Sequence, residues 1–428
     1  MVKIKDILEG KVTDEEVKLK GWIWNIRFGG GIIFIILRDG SGEIQCTVKK
    51  DVIGERFSEL EKLNRESSII LKGKVFEDER APGGYEVRCT DFKIVHIGEE
   101  FPIGKKKHGP SFLLDNRHLV LRSPKYSAIM RIKDSALHGA REWFRENGFT
   151  EVTPPIISKN ACEGGSTLFE LNYFGKKAYL SQSAQLYLEA MIFSLGRVYS
   201  ITPSFRAEKS RTRRHLAEYW HVEAEEPWVD EEKNEKIEEE LVFHMIQTVL
   251  KERKRDLSMF RDPKTLEKIS LPFPRIKYSK VVDILQKNKY NMKWGDDMGA
   301  DEEYFISSKF ESPFFIQNFP KEAKAFYMKE DPTNSKLVKC ADMIAPEGYG
   351  EIIGGSERET DVNILIQRLK EQGSDIEPYQ WYLDLRRYGS VPHSGFGLGI
   401  ERFIWWICKL DHIRDTIPFP RVINRFYP

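Results

Sequence analysis

The sequence predicts an α+β chain of two domains: a small closed β-barrel of the OB type, then a larger domain with an antiparallel sheet flanked by helices. Three observations predict it. The 428 residues exceed what one ordinary core accommodates. The N-terminal part holds five short segments rich in β-branched and aromatic residues, and the remainder alternates strand-like pieces with few, long helices.

The barrel segments are VKLKGWIWNIR, GIIFIILRDG, GEIQCTVKK, SSIILKGKVFEDE and GYEVRCTDFKIVHIG, separated by Gly and Asp turns. A sandwich edge or an SH3-like barrel shares this pattern. The next stretch, EEFPIGKKKHGPSFLLDNRHLVLRSPK, carries prolines, glycines and a basic run with little periodicity, as a hinge does. The expected organisation is therefore a barrel over 1–100, a linker over 101–125 and a large domain over 126–428.

In the large domain, Ile129, Ile132, Ala136, Ala140 and Phe144 fall near helical spacing, predicting a helix over Ser127 to Asn147 that stops at Gly148. A strand through FTEVTPPII follows. A second helix is expected over Asp230 to Leu257, with Ile237, Leu241, Met245 and Val249 as its packing stripe and no role for its charges. The pieces AYLSQS, GRVYSITPSFRAE, EYWHVEAE, SPFFIQNFP, KAFYMKED and GYGEIIGG read as strands.

Composition narrows the function classes. Lys plus Arg (67) nearly balances Asp plus Glu (66), so a nucleic-acid partner must be held by local patches. The five cysteines form no CxxC pair, which leaves neither a zinc ribbon nor a disulfide framework and points to buried thiols. No apolar run approaches the roughly 18 residues of a membrane span, and the first residues lack a signal-peptide core. A soluble cytoplasmic protein with no membrane partner is expected. Neither GxxxxGK[ST] nor a strand-linked GxGxxG occurs, so a nucleotide would be bound by other means.

Three stretches carry chemistry. FRAEKSRTRRHLAEYWHVE predicts two antiparallel strands joined by a basic loop, with Arg206 and Glu208 on one face and Tyr219, His221 and Glu223 in a second row. Guanidinium matches phosphate, and aromatic faces stack on bases, so this hairpin suits a ligand with phosphates and a flat ring. PHSGFGLGIERFIWW combines glycines that permit close backbone approach with Glu401 and Arg402 at the head of an apolar helix. ADMIAPEGYGEIIGGSERE places Asp342 and Glu351 ahead of a double glycine and Arg358, a carboxylate pair suited to Mg²⁺ beside polyphosphate.

Together these stretches resemble the class II aminoacyl-tRNA synthetases. FRAE…RHLAEYWHVE is similar to motif 2 of that family, GFGLGIER to motif 3, and the helix and strand ending at Pro154 to motif 1. An N-terminal OB domain is the arrangement of subclass IIb. RAPGGYEV, EGGSTLF, YLSQSAQLYLE, DMIAPEGYGEIIGGSERE and LRRYGSVPHSGFGLG resemble asparaginyl enzymes of the archaeal kind. Aspartyl enzymes, and a paralogue that makes free asparagine, are the neighbouring alternatives.

The resemblance implies ATP-dependent activation of asparagine and its transfer to tRNA(Asn), with Mg²⁺, by a homodimer formed through motif 1. It implies catalytic roles for Arg206, Glu351 and Arg402. The ATP site would add Glu208, Arg214, His215, Leu216, Tyr219, Gly399, Ile400 and Glu401, and the metal would sit on Glu351 and Asp342. The amino-acid site would comprise Glu163, Ser183, Gln185, Leu188, Arg206, Glu223, Gly354 and Arg358. Leu188 stands where aspartyl enzymes carry a lysine. In the barrel, Arg27, Phe34 and Gln45 match positions that grip anticodon bases, although Phe34 within GIIFIIL equally suits a core.

Overall fold

The computed structural model describes residues 2–104, 106–162, 167–209 and 212–428, which divide into compact units of 1–113 and 114–428. In the first unit all five expected strands form: β1 (Glu16–Gly29), β2 (Ile32–Arg38), β3 (Glu43–Lys49), β4 (Ser68–Glu77) and β5 (Tyr85–His96). They close in the order β1-β2-β3-β5-β4, with β4 pairing back onto β1. Strict alternation drives the closure, because Val17, Leu19, Ile23, Ile33, Ile35, Leu37, Cys46 and Val48 all point inward. Two close approaches need glycine: a Cβ on Gly21 would lie 2.3 Å from the Arg38 carbonyl oxygen, and one on Gly73 2.3 Å from that of Arg88.

The stretch 101–125 contains two short helices, Pro110–Asp115 and Arg117–Val120. The second unit is built on one eight-stranded sheet. Its strands are β6 (Thr150–Glu151), β7 (Val198–Phe205), β8 (Glu218–Pro227), β9 (Arg275–Lys277), β10 (Phe314–Gln317), β11 (Cys340–Ala345), β12 (Gly350–Glu357) and β13 (His393–Gly399). The order is β9-β10-β11-β12-β13-β8-β7-β6. The inner pairs are antiparallel as expected, but the edge pairs β6–β7 and β9–β10 are parallel, so the sheet is mixed.

Helices α1 (Pro124–Glu146) and α3 (Glu231–Leu257) cover one face, while α2 (Gln185–Leu195) packs on the other. Phe144 of α1 stacks on Tyr199 of β7 at 4.2 Å, and a Cβ on Gly139 would lie 2.7 Å from Thr248 Oγ1, so α1 and α3 cross tightly. Asp230 caps α3 by accepting from Lys233 N at 3.0 Å. Leu241, Met245 and Val249 are buried as the stripe predicts. The charges of α3 do have a role: Glu235 and Glu239 pair with Arg275 of β9 at 3.0 and 2.7 Å.

Two expected strands are curtailed. FTEVTPPII pairs only at Thr150–Glu151 and again at Ile157–Ser158 in a small three-stranded sheet, because Pro154 and Pro155 have no N–H to offer a ladder. KAFYMKED is strand only at Glu330–Asp331. All five cysteines are buried, and none is in a disulfide.

Candidate active site

Four adjacent strands supply the floor. The hairpin β7–β8 sets Ser204 opposite Tyr219 and Thr202 opposite His221, and β13 brings Gly399 beside His221 and Gly397 beside Glu223. On the other flank β12 pairs Gly354 with Gly397. Neither glycine carries a side chain into the space above, so the sheet surface itself lies open between Glu223, Asp342 and Glu351.

Two cavities open on this surface. A narrow one of about 80 Å³ is lined by Arg206, Glu208, Arg214, His215, Leu216, Tyr219, His221, Glu351, Gly399, Glu401 and Arg402. A larger one of about 560 Å³ is lined by Ser183, Gln185, Arg206, His221, Glu223, Lys324, Asp342, Glu351, Gly354, Arg358 and Gly397, among others. They share Arg206, His221, Glu351 and Gly397. Arg206, whose guanidinium lies 5.9 Å from the Tyr219 ring centroid, therefore borders both.

The narrow cavity is cationic and aromatic. Arg402 Nη1 donates to the Glu351 carbonyl at 3.0 Å and lies 3.3 Å from its carboxylate, and Arg214 Nη1 pairs with Glu303 at 2.6 Å. Burial, with Arg402 and other cations nearby, lowers His215 to about 4; burial followed by Arg206 and Arg402 lowers His221 to about 3. Both rings are neutral at pH 7. Glu401 works differently from its neighbours, because it accepts from Trp220 N at 2.9 Å and from Lys133 at 2.5 Å, tying β8 to α1. It heads helix α4 (Ile400–Ile407), whose Ile400 is fully buried and is not among the lining residues.

The larger cavity has an acidic side and a basic end. A Cβ on Gly354 would lie 3.7 Å from both Asp342 Oδ1 and Glu351 Oε1, so two carboxylates converge over that glycine. Burial works against the Glu351 carboxylate, but Arg402, Lys324 and Arg206 hold it below its ordinary value. Lys324 Nζ bonds Asp342 Oδ2 at 2.5 Å. Glu223 accepts from Ser183 Oγ and, at 2.9 Å, from Ala184 N, which pins the head of α2. At the far end Arg358 forks onto Glu225, with Nε to Oε2 at 3.2 Å, and donates to Ser356 Oγ at 2.6 Å.

Leu188 does not join this wall. It is fully buried against Ala184, Ile192 and Val198, whereas Gln185, three residues earlier, lines the cavity. Glu163 lies outside the described residues. Lys324 and Glu225 were not expected; Glu225 continues the alternate-residue row of Tyr219, His221 and Glu223, while nothing local marks Lys324.

In the first unit Arg27 and Phe34 face each other across β1 and β2, and Gln45 stands opposite Ile36. Phe34 is 36% exposed while Ile33 and Ile35 are fully buried, so it belongs to the outer face and not to the core. Gln45 lines a separate cavity of about 430 Å³ with Trp24 and Arg65.

Residues 109–423 match the family model of class II tRNA synthetases (D, K and N), and residues 17–95 match the OB-fold nucleic acid binding domain. The chain is 55% identical to the asparagine–tRNA ligase of Pyrococcus abyssi over 99% of its own length and 98% of the relative's. It superposes on asparaginyl-tRNA synthetase from Pyrococcus horikoshii complexed with asparaginyl-adenylate with a TM-score of 0.94 and 53% identity, covering 98% of this chain and 97% of that one. For the Entamoeba histolytica asparaginyl-tRNA synthetase, also with asparaginyl-adenylate, the values are 0.89 and 33%, with 97% of each chain covered. The chain belongs to the class II (D, K and N) tRNA synthetases, in the asparagine–tRNA ligase family.

Proposed function

We propose that the chain activates asparagine with ATP, giving asparaginyl-adenylate and pyrophosphate, and then transfers the asparaginyl group to the terminal ribose of tRNA(Asn). The observation that carries this reading is the junction of the two cavities at Arg206. A nucleotide in the narrow cavity and an amino acid in the larger one meet there, at the α-phosphate and the attacking carboxylate. Arg206 is the cation that can touch both groups and stabilise the charge that builds during in-line displacement.

Tyr219 and Arg402 would enclose the adenine, with Glu208, His215 and Leu216 at its edge and Arg214 towards the polyphosphate. Asp342 and Glu351 fit Mg²⁺, which takes few protein oxygens and keeps several waters; bound there it would neutralise phosphate charge. In the larger cavity Gln185 would meet the α-amino group, and Glu223 would accept from the side-chain amide. The ion pairing of Arg358 with Glu225 favours asparagine over aspartate, since the basic end has little unmatched charge for a second carboxylate.

Arg27, Phe34 and Gln45 would hold anticodon bases on the outer barrel face. Exposed Ile156, Ile157, Tyr173 and Phe174 support a homodimer formed beside the motif 1 elements. Among the described residues no helix is long and apolar enough to cross a membrane, and a cytoplasmic location suits the reaction. The test is ATP-dependent transfer of labelled asparagine to a tRNA(Asn) transcript by the purified protein. Absence of transfer with Mg²⁺ present would refute the reading.

A further inference from the structure

Behind Gln185, one layer away from the larger cavity, lies a fully buried carboxylate that the reaction scheme above does not use. Glu189 sits one helical turn after Gln185 on α2 and accepts from Gln185 Nε2 at 3.1 Å. It also accepts from Tyr382 Oη at 2.8 Å and Arg386 Nη2 at 2.6 Å, and its Oε2 lies 3.0 Å from His393 Nε2. Four side chains thus converge on one acid. Since the Gln185 amide nitrogen is committed to Glu189, its carbonyl oxygen is left towards Cys162, 4.0 Å away, and the cavity. That is the group an α-ammonium needs.

The charges matter as much as the geometry. Tyr382 and Arg386 belong to the helix Gln380–Arg387, which brings a guanidinium behind the basic end where Arg358 already stands. Arg358 is matched by Glu225, and Arg386 by Glu189. Burial opposes the Glu189 carboxylate, but Arg386, His393 and Arg358 hold it well below its ordinary value, so the acid is ionised. Without it Arg386, which does not itself line the cavity, would be an unmatched buried cation behind the cavity wall, where its field would favour a carboxylate ligand over an amide.

We infer that Glu189 is a positioning residue for substrate selection: it turns the Gln185 amide towards the amino group and cancels the charge of Arg386, keeping the pocket selective for asparagine over aspartate. The inference rests on the asparagine reading above. Its test compares kcat/KM in pyrophosphate exchange for asparagine and aspartate in the wild type, Glu189→Gln and Arg386→Gln, each checked for folding by its melting curve. Glu189→Gln keeps an acceptor and the shape but loses the charge. It should lower the asparagine-to-aspartate ratio on the order of tenfold, mainly by improving aspartate KM. Arg386→Gln leaves Glu189 less compensated and should raise the ratio.

Opposite movements of the two ratios support the inference. A role confined to packing would weaken both substrates together, and an unchanged ratio or a shift of the same sign in both variants would overturn it. Where only one variant folds, its sign decides. If neither folds, the cluster is structural and the inference fails. A wild-type preference for aspartate would instead sink the asparagine reading, which the variants do not affect.

Discussion

Arg206 borders both cavities, and Arg214 and Arg402 line only the narrow one. Its removal should therefore damage the chemical step more than the binding of either substrate. Arg206→Ala is expected to slow asparagine-dependent pyrophosphate exchange by on the order of 10² to 10³, chiefly in kcat, the scale of one lost transition-state donor. Steady-state exchange kinetics check this, and a near-normal kcat would remove the assignment. Gly354 makes the complementary case. A methyl group there would stand 3.7 Å from both Asp342 and Glu351, in the space assigned to substrate and metal. Gly354→Ala should raise asparagine KM with little change in melting temperature, and an unchanged KM would show that the ligand keeps clear of β12.

At the scale of elements, the Asp230 cap on α3 gives a stability prediction independent of the chemistry. Asp230→Ala should cost about 1 kcal/mol, read as a shift of the urea midpoint at unchanged slope. No shift would mean that the Lys233 N–H is satisfied by solvent. The barrel was legible because its five segments are rich in β-branched and aromatic residues and are separated by Gly and Asp turns, although the face of a single residue such as Phe34 was not. The helix α1 was legible from its spacing. Edge pairing was not, since two-residue β6 and three-residue β9 carry too little pattern to fix direction. Motifs 2 and 3 contain most of the residues that line the narrow cavity. The larger cavity was less readable: Gln185 and Leu188 lie about 60° apart around α2, and the cavity edge falls between them. Lys324 follows the short turn Lys321–Ala323, and only tertiary packing brings it to Asp342.

Phe34 and Gln45 lie in a unit with its own closed core, apart from the unit that holds Arg206, so the proposed base recognition and amino-acid activation are separable by mutation. Phe34→Ala should weaken tRNA aminoacylation by about 1 to 3 kcal/mol, the worth of a base–aromatic stack, and leave tRNA-independent exchange unchanged. A joint fall of exchange and melting temperature would mean that the outer-face ring supports the fold instead. Removing divalent metal with a chelator should abolish exchange without unfolding either unit, and added Mg²⁺ should restore it. The central claim, that the joined cavities select asparagine, is tested most directly by wild-type pyrophosphate exchange with asparagine and with aspartate under identical conditions. An asparagine preference of at least about a hundredfold in kcat/KM is predicted, because an aspartate carboxylate has no N–H to donate to the buried Glu223 carboxylate and is repelled by it. Equal efficiency, or a preference for aspartate, would contradict it.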